Sequence, residues 1–316
     1  MIKHNLQLTT PVLFVIFSRK DTTEKVFAEI CKARPKKLYV AADGPRKGKA
    51  GEEELCAETR AIINQVNWEC EVKTLFRKEN LGCGIGVSSA IDWFFSHEEE
   101  GIILEDDCVP DQTFFSFCED LLTRYRYDSR VMHIGGFNVQ FGTRRGRASY
   151  YFSNFPEIWG WATWRRAWKL FDFQMETYPQ FKEENRIKDV FDTARLQKLW
   201  LRALDHTLSE KKSSIWGYRW MYTVWSNHGL CITPNQVLVR NIGFDDRGTH
   251  TNGNEEVYRA YASCIAEPLK ELKHPNIIIP HKDADQKTQE MRMAPTYPTI
   301  IRRKAKDGLR KVLNGS

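Results

Sequence analysis

The chain has 316 residues, enough for one large domain or two coupled ones and far beyond the size at which a fold needs disulfide staples. Hydrophobic residues make up 41% and charged residues 28%, a globular balance that excludes wholesale disorder. A net charge of +6, from 47 basic against 41 acidic residues, is too mild and too dispersed to require nucleic acid, although it leaves room for anionic ligands.

In chain order, Val12 to Phe17 is an apolar run of strand formers, too short for a signal segment or a membrane span. Asp21-Thr-Thr-Glu24 follows as a capping-box pattern and predicts a helix to about Ala33. Lys37 to Ala42 reads as a second strand stopped by Asp43-Gly-Pro, Glu52 to Val66 as a helix, and Glu71 to Phe76 as a third strand. After the glycine-rich turn Gly82-Cys-Gly-Ile-Gly86, a helix covers about Val87 to Ser96. That turn fails the dinucleotide fingerprint because position 87 is valine, and no Walker A sequence occurs. Gly101 to Leu104 is a short buried strand ending in Glu105-Asp106-Asp107, and Pro110-Asp111 opens a further helix to about Tyr125. Strands alternating with helices predict an α/β fold with a mixed, mostly parallel central sheet.

From Val131 onward the alternation fades into Gly135-Gly136-Phe137-Asn138, an aromatic stretch, a charged helical region near Pro179 to Lys212 and a final cluster from Trp216 to Thr251. Eight of the ten tryptophans fall between Trp159 and Trp225, an excess expected to divide between core and a ring-binding cleft. The eight cysteines show no C-x-x-C spacing, which fits reduced thiols and a cytoplasmic location. The tail from Arg302 to Leu313 holds six basic residues with apolar interruptions. It is either a solvated end or a weak attachment to an anionic membrane surface, on the inner face.

The chemistry concentrates at strand ends. In parallel α/β sheets ligands bind beyond the carboxyl ends of the strands, where Arg19, Asp43 and the acidic triplet would gather. Three adjacent carboxylates repel one another unless a cation or hydrogen bonds offset the charge, and Mg²⁺ or Mn²⁺ held by one or two carboxylates plus phosphates would do so. Arg19 suits a phosphate, and Asp43 an N–H of a base. Glu157, just before Trp159, would add a hydrogen-bonding group beside an apolar platform for a sugar ring. His133 reads as structural, whereas His250 lies in the Gly/Asp-rich loop Gly243 to Thr251, which suits closure over a substrate.

Taken in order, Val-Ile-Phe-Ser-Arg19, Ala-Ala-Asp43, Ile-Leu-Glu105-Asp106-Asp107-x-x-Pro110-Asp111-x-x-Phe114-Phe115, Trp159-Gly-Trp161 and Cys231-x-x-Pro234 with Gly243-Phe244 resemble GT-A glycosyltransferases. The likeness runs from about residue 11 to 252 and is nearest to the N-acetylglucosaminyltransferase I type and its bacterial relatives. It implies an inverting transferase using a nucleotide-diphosphate sugar, commonly UDP-linked, with Mn²⁺ or Mg²⁺, and a glycan or lipid-linked saccharide as acceptor. Residues 1–130 would then bind the sugar nucleotide, 131–260 would form the acceptor-binding half of the same domain, and 261–316 would be a C-terminal extension. On the same resemblance Asp43 would face the base, Arg19 the diphosphate, Asp107 the metal, and Glu105 and Asp106 the ribose and donor sugar. The loop carrying Thr249 and His250 would close over the nucleotide.

One departure concerns the catalytic base. Where the family has Trp-Asp before the Cys-x-x-Pro, this chain has Trp216-Gly217, and glycine accepts no proton. Glu157, Asp245 and Asp246 are the candidate replacements. A nucleotidyltransferase making sugar nucleotides and a catalytically silent sugar-nucleotide or glycan-binding protein are the alternatives.

Overall fold

The computed structural model describes residues 7–209, 216–244 and 255–293, with backbone alone for 255–258. Asp245, Asp246, Thr249, His250 and the basic tail lie outside the described residues. The first half comprises β1 (Val12–Ile16), α1 (Lys20–Ala33), β2 (Lys37–Ala42), α2 (Glu52–Arg60), β3 (Glu71–Phe76), α3 (Gly82–His97), β4 (Glu100–Glu105), β5 (Cys108–Pro110) and α4 (Gln112–Tyr125). The second comprises β6 (Val131–Gly135), β7 (Tyr150–Ser153), β8 (Trp161–Trp164), α5 (Arg165–Trp168), α6 (Tyr178–Glu183), α7 (Ala194–Ser209), α8 (Trp216–Ser226), β9 (Leu230–Pro234), β10 (Val239–Asn241), α9 (Glu255–Ala262) and α10 (Lys282–Arg292).

Helix α1 begins at Lys20 with Arg19 at its cap position and no side-chain cap, so Asp21 lies inside the helix rather than opening a capping box, and three further boundaries differ from the sequence reading. The α-helix from Glu52 stops at Arg60 and tightens into a 3-10 turn over Ala61–Gln65. Helix α3 starts at Gly82, five residues early, because Asp43 from the end of β2 accepts hydrogen bonds from the Leu81 and Gly82 N–H groups at 2.9–3.0 Å. A cap supplied by a distant strand offsets the poor helix propensity of the glycines, and local pattern does not reveal it. Pro110 lies in β5, and Asp111 is the cap of α4, accepting from Thr113 N at 2.8 Å.

Eight strands form one mixed sheet in the order β3-β2-β1-β4-β8-β6-β9-β7, and β5 pairs with β10 in a separate two-stranded ribbon. β1, β2, β3 and β4 run parallel; β8 enters antiparallel between β4 and β6, and β7 closes the edge antiparallel to β9. The apolar runs of the first strands are continuous because both faces are covered. Val12, Phe14 and Ile16 enter a core shared with Val26, Phe27 and Ile30 of α1 and Phe114 and Phe117 of α4. Leu13 on the opposite face joins Ala90, Ile91 and Phe94 of α3, Trp200 of α7 and Trp216 and Trp220 of α8.

That second core holds most of the tryptophans. Trp161, Trp164, Trp168, Trp200, Trp216, Trp220 and Trp225 are all buried, and only Trp159 of the local excess keeps partial exposure. The expected even division between core and cleft is thus corrected. Trp161 stacks on Trp216 and on His133, with ring centroids 5.7 and 4.9 Å apart, a packing only tertiary contacts create. His133 is structural as expected. Its Nδ1 accepts from Trp220 Nε1 at 3.2 Å while Nε2 lies 3.1 Å from the Glu157 carbonyl, a pairing that needs the neutral ring with its proton on Nε2. Burial pushes its pKa down to about 3 against the pull of that carbonyl.

Candidate functional site

The register sets the site. Ile16 lies level with Ala42 and Val15 with Glu105, so the chain leaves β1, β2 and β4 on one sheet edge and releases Arg19, Asp43 and Asp106-Asp107 side by side. Gly135 at the end of β6 and Trp161 at the start of β8 pair on that same edge. The expected convergence beyond the strand ends is therefore present for Arg19, Asp43, Glu105, Asp106 and Asp107.

Arg19 precedes α1, and its carbonyl is pinned by Thr23 N at 3.0 Å and Thr23 Oγ1 at 2.6 Å. The side chain then reaches across to β4. Its Nη2 donates to Asp106 and, at 2.8 Å, to Asp107 Oδ2. Burial works against the guanidinium charge, but the two aspartates outweigh it and hold Arg19 charged well beyond its ordinary range. Among the carboxylates, burial raises Glu105 to about 8, with Asp107 and Asp106 adding and Arg19 opposing. Asp106 is raised as well, by burial acting against Arg19.

A second chain segment covers this cluster. β10 pairs antiparallel with β5, setting Asn241 opposite Cys108, and Ile242 N donates to the Asp107 carbonyl at 2.8 Å. Asn241 Oδ1 accepts from Gly243 N at 2.7 Å, folding the chain back over the carboxylate. A Cβ at Gly243 would lie 2.1 Å from Asp107 Oδ2 and 3.0 Å from Arg19 Nη1, so the backbone here rests directly on the ion pair. Asp107 Oδ1 is approached by Asn241 Nδ2 and the Cys108 thiol, each at 3.4 Å.

Asp43 is more heavily engaged than the sequence suggests, since it caps α3. Burial raises its pKa, while the Leu81 and Gly82 N–H groups and the charge of Arg77 pull it back. Arg77 in turn donates to the Gly86 carbonyl at 3.2 Å and to Ser89 Oγ at 2.8 Å, and Arg60 donates to the Asp43 carbonyl at 2.9 Å. Cys83 links the two parts. Its thiol is pushed up by burial and then by the charges of Glu105, Asp107 and Asp106, which sets the α3 start against the acidic strand end.

Glu157 lies elsewhere, on the sheet face over β6. It is 5% exposed, and its Oε2 pairs with Arg292 of α10 at 2.5 Å. Burial raises its pKa against the attraction of Arg292. The structure also explains Gly217: a Cβ there would lie 2.6 Å from Ile158 Cδ1, so the position where the resembling family carries its base is packed against the neighbour of Glu157. Sequence reasoning missed Arg292 and Asp285, which nothing in their local pattern marks. The segment from Gly243 reads in the sequence as the start of a closing loop, and its close approach to Asp107 is what the sequence does not show.

Asp285 belongs to the same buried polar group. Its Oδ1 accepts from Ser153 Oγ at 2.6 Å and its Oδ2 from Asn154 N at 3.0 Å. Burial pushes its pKa to about 7, with those hydrogen bonds opposing and Glu157 adding. Between roughly pH 4, the unfolded value, and pH 7 the folded protein therefore keeps a proton that the unfolded chain has released. Stability falls as pH rises through that window, by on the order of a few kcal/mol, and the penalty is complete above it. Asp285→Asn is expected to flatten this slope, read as the difference between variant and parent urea midpoints at pH 5 and pH 8.

Among the described residues no group of three or more His, Cys, Asp or Glu side chains is arranged to hold a metal ion, and no helix is long and apolar enough to cross a membrane. A site of one carboxylate plus ligand phosphates needs no such group, and Asp107 Oδ1, with only long contacts, has lone pairs for it. All eight cysteines are free thiols. Two grooves flank the sheet. One of about 700 Å³ lies at its amino edge beside Arg130 and Leu230, and one of about 730 Å³ lies beyond the carboxyl ends of β6 and β9.

No family model matches this chain, and no curated protein matches it. Among solved structures, HddC from Yersinia pseudotuberculosis shares 10% identity over 55% of this chain and 87% of its own, with a TM-score of 0.32. That likeness is too slight to bear on fold or function.

Proposed function

We propose that the chain is a metal-dependent glycosyltransferase of the GT-A type. It moves a sugar from a nucleotide-diphosphate donor, UDP-linked in the first instance, to a hydroxyl of a glycan or lipid-linked acceptor with inversion. The observation that carries this reading is the cluster at the carboxyl end of β4, where Arg19 bridges Asp106 and Asp107 under the Asn241 to Gly243 segment, with Asp43 directly after β2 on the same sheet edge. Paired with its aspartates, Arg19 stays charged in a partly buried place, which is what a diphosphate partner requires. Mn²⁺ or Mg²⁺, held by Asp107 and the phosphates, would supply positive charge against that developing on the leaving diphosphate.

The chain's own residues have separable tasks. Arg19 neutralises the departing phosphates, Glu105 and Asp106 hold ribose and donor-sugar hydroxyls, and Asp43 accepts from the base with lone pairs left over from capping α3. Glu157 takes the acceptor proton. It is one residue from Ile158, whose side chain fills the space beside Gly217, and burial raises its basicity. The test is a thermal-shift series of nucleoside diphosphates and their sugars with and without Mn²⁺. UDP is expected to stabilise the parent only with the cation, and Asp107→Asn to remove most of that shift; an unchanged shift in the variant excludes Asp107 as ligand. UDP release from a UDP-sugar supports transfer chemistry, whereas pyrophosphate release identifies a nucleotidyltransferase instead.

A further inference from the structure

The groove beyond β6 and β9 opens on the same sheet edge as the acidic cluster, and its side chains are unusual for a surface. Phe141 is 40% exposed and has φ of 48°, a left-handed conformation that bulky residues avoid. Ile265, 71% exposed, stands on the same groove, and Gln236 offers an amide with no hydrogen-bond partner among the described residues. The charges nearly cancel. Arg144, Lys270 and Lys273 face Glu267 and Glu271, Lys273 pairs with Glu271 at 2.8 Å, and Arg144 donates to the Arg147 and Ala148 carbonyls. An anionic surface or a nucleic acid finds no excess of cations here.

Aromatic contacts connect the groove to the cluster. The Phe141 ring lies parallel to Tyr261 with centroids 6.4 Å apart, Tyr261 meets Trp159 at 5.3 Å, and Trp159 meets Phe244 at 5.5 Å. Phe244 directly follows Gly243, whose backbone rests on Asp107. A strained aromatic kept at a groove wall, an exposed aliphatic, an amide and balanced charge match the C–H faces and hydroxyls of sugar rings rather than an ionic ligand. From this arrangement we infer that the groove holds the acceptor, a neutral oligosaccharide whose rings beyond the reacting hydroxyl lie against Phe141 and Gln236. The inference rests on the proposed transfer reaction for its direction, since the aromatic path leads from the groove to Asp107.

The experiment is ligand-observed saturation-transfer NMR on the full chain with UDP and Mg²⁺, using tetrasaccharides of β-1,4-glucose, α-1,4-glucose, β-1,4-N-acetylglucosamine and α-1,6-mannose. At least one is expected to receive saturation, with affinity falling tenfold or more in Phe141→Gly and several-fold in Gln236→Ala. Because glycine adopts the left-handed conformation freely, the melting temperature of Phe141→Gly should hold or rise, which separates a binding role from core packing. No saturation of any tetrasaccharide by the parent, or equal binding by Phe141→Gly, overturns the groove. A retained cation-dependent UDP shift then leaves the donor reading standing; tetrasaccharide binding without any nucleotide shift supports the groove and sinks the transferase reading instead.

Discussion

Gly243→Ala is expected to abolish any cation-dependent stabilisation by UDP while leaving the unliganded protein folded. The added methyl would sit 2.1 Å from Asp107 Oδ2, inside any van der Waals contact, so either the carboxylate rotates off Arg19 or the chain from Asn241 to Phe244 lifts. Both outcomes dismantle the arrangement that presents Asp107 and Arg19 together. The β10 to β5 pairing upstream is untouched, which confines the damage to the site. A ligand at a hundred times its dissociation constant stabilises the native state by about 2.7 kcal/mol, a shift of several degrees that differential scanning fluorimetry resolves easily. Should the variant show the parent's full shift with UDP and Mn²⁺, the cluster under Gly243 is not where the nucleotide binds.

Arg292→Met is expected to have the largest effect on stability. It leaves the Glu157 carboxylate buried without its partner, and breaking a buried ion pair from one side costs about 3–5 kcal/mol. Glu157→Gln should cost less, because Arg292 keeps some access to water, and the double variant should recover much of the loss, since no lone charge is then stranded. Urea unfolding of the two single variants and the double closes the cycle. The same Glu157→Gln protein separates structure from chemistry. A base loses turnover by about 10² or more with nucleotide stabilisation kept, whereas a purely structural carboxylate shifts the urea midpoint and leaves turnover at the parent level.

The first half of the fold was legible because its signals are local. Continuous apolar strands and the Asp111 cap of α4 each act within one turn or one strand, and parallel strands linked by helices have few ways to assemble. That connectivity alone directs Arg19, Asp43 and Asp107 to one edge. The second half resisted because its strands pair without regard to order. β8 comes after β7 in the chain but lies between β4 and β6, and nothing in the four residues Trp161–Trp164 announces antiparallel pairing with strands on both sides.

The amino-acid sequence by itself determined the alternating strands and helices of the first 125 residues, the acidic strand end and its alignment with Arg19 and Asp43, and the absence of an acid at Gly217. Tertiary structure alone decided that Asn241 and Gly243 cover Asp107 across more than a hundred residues, that Asp43 caps α3, and that Arg292 reaches Glu157 from a helix 135 positions later. It also decided that the tryptophans fill the core. The reason is physical: periodicity and capping report the solvent and backbone needs of neighbouring residues, whereas a charge pair or a close backbone approach between distant segments depends on register and layer packing, which no local pattern carries.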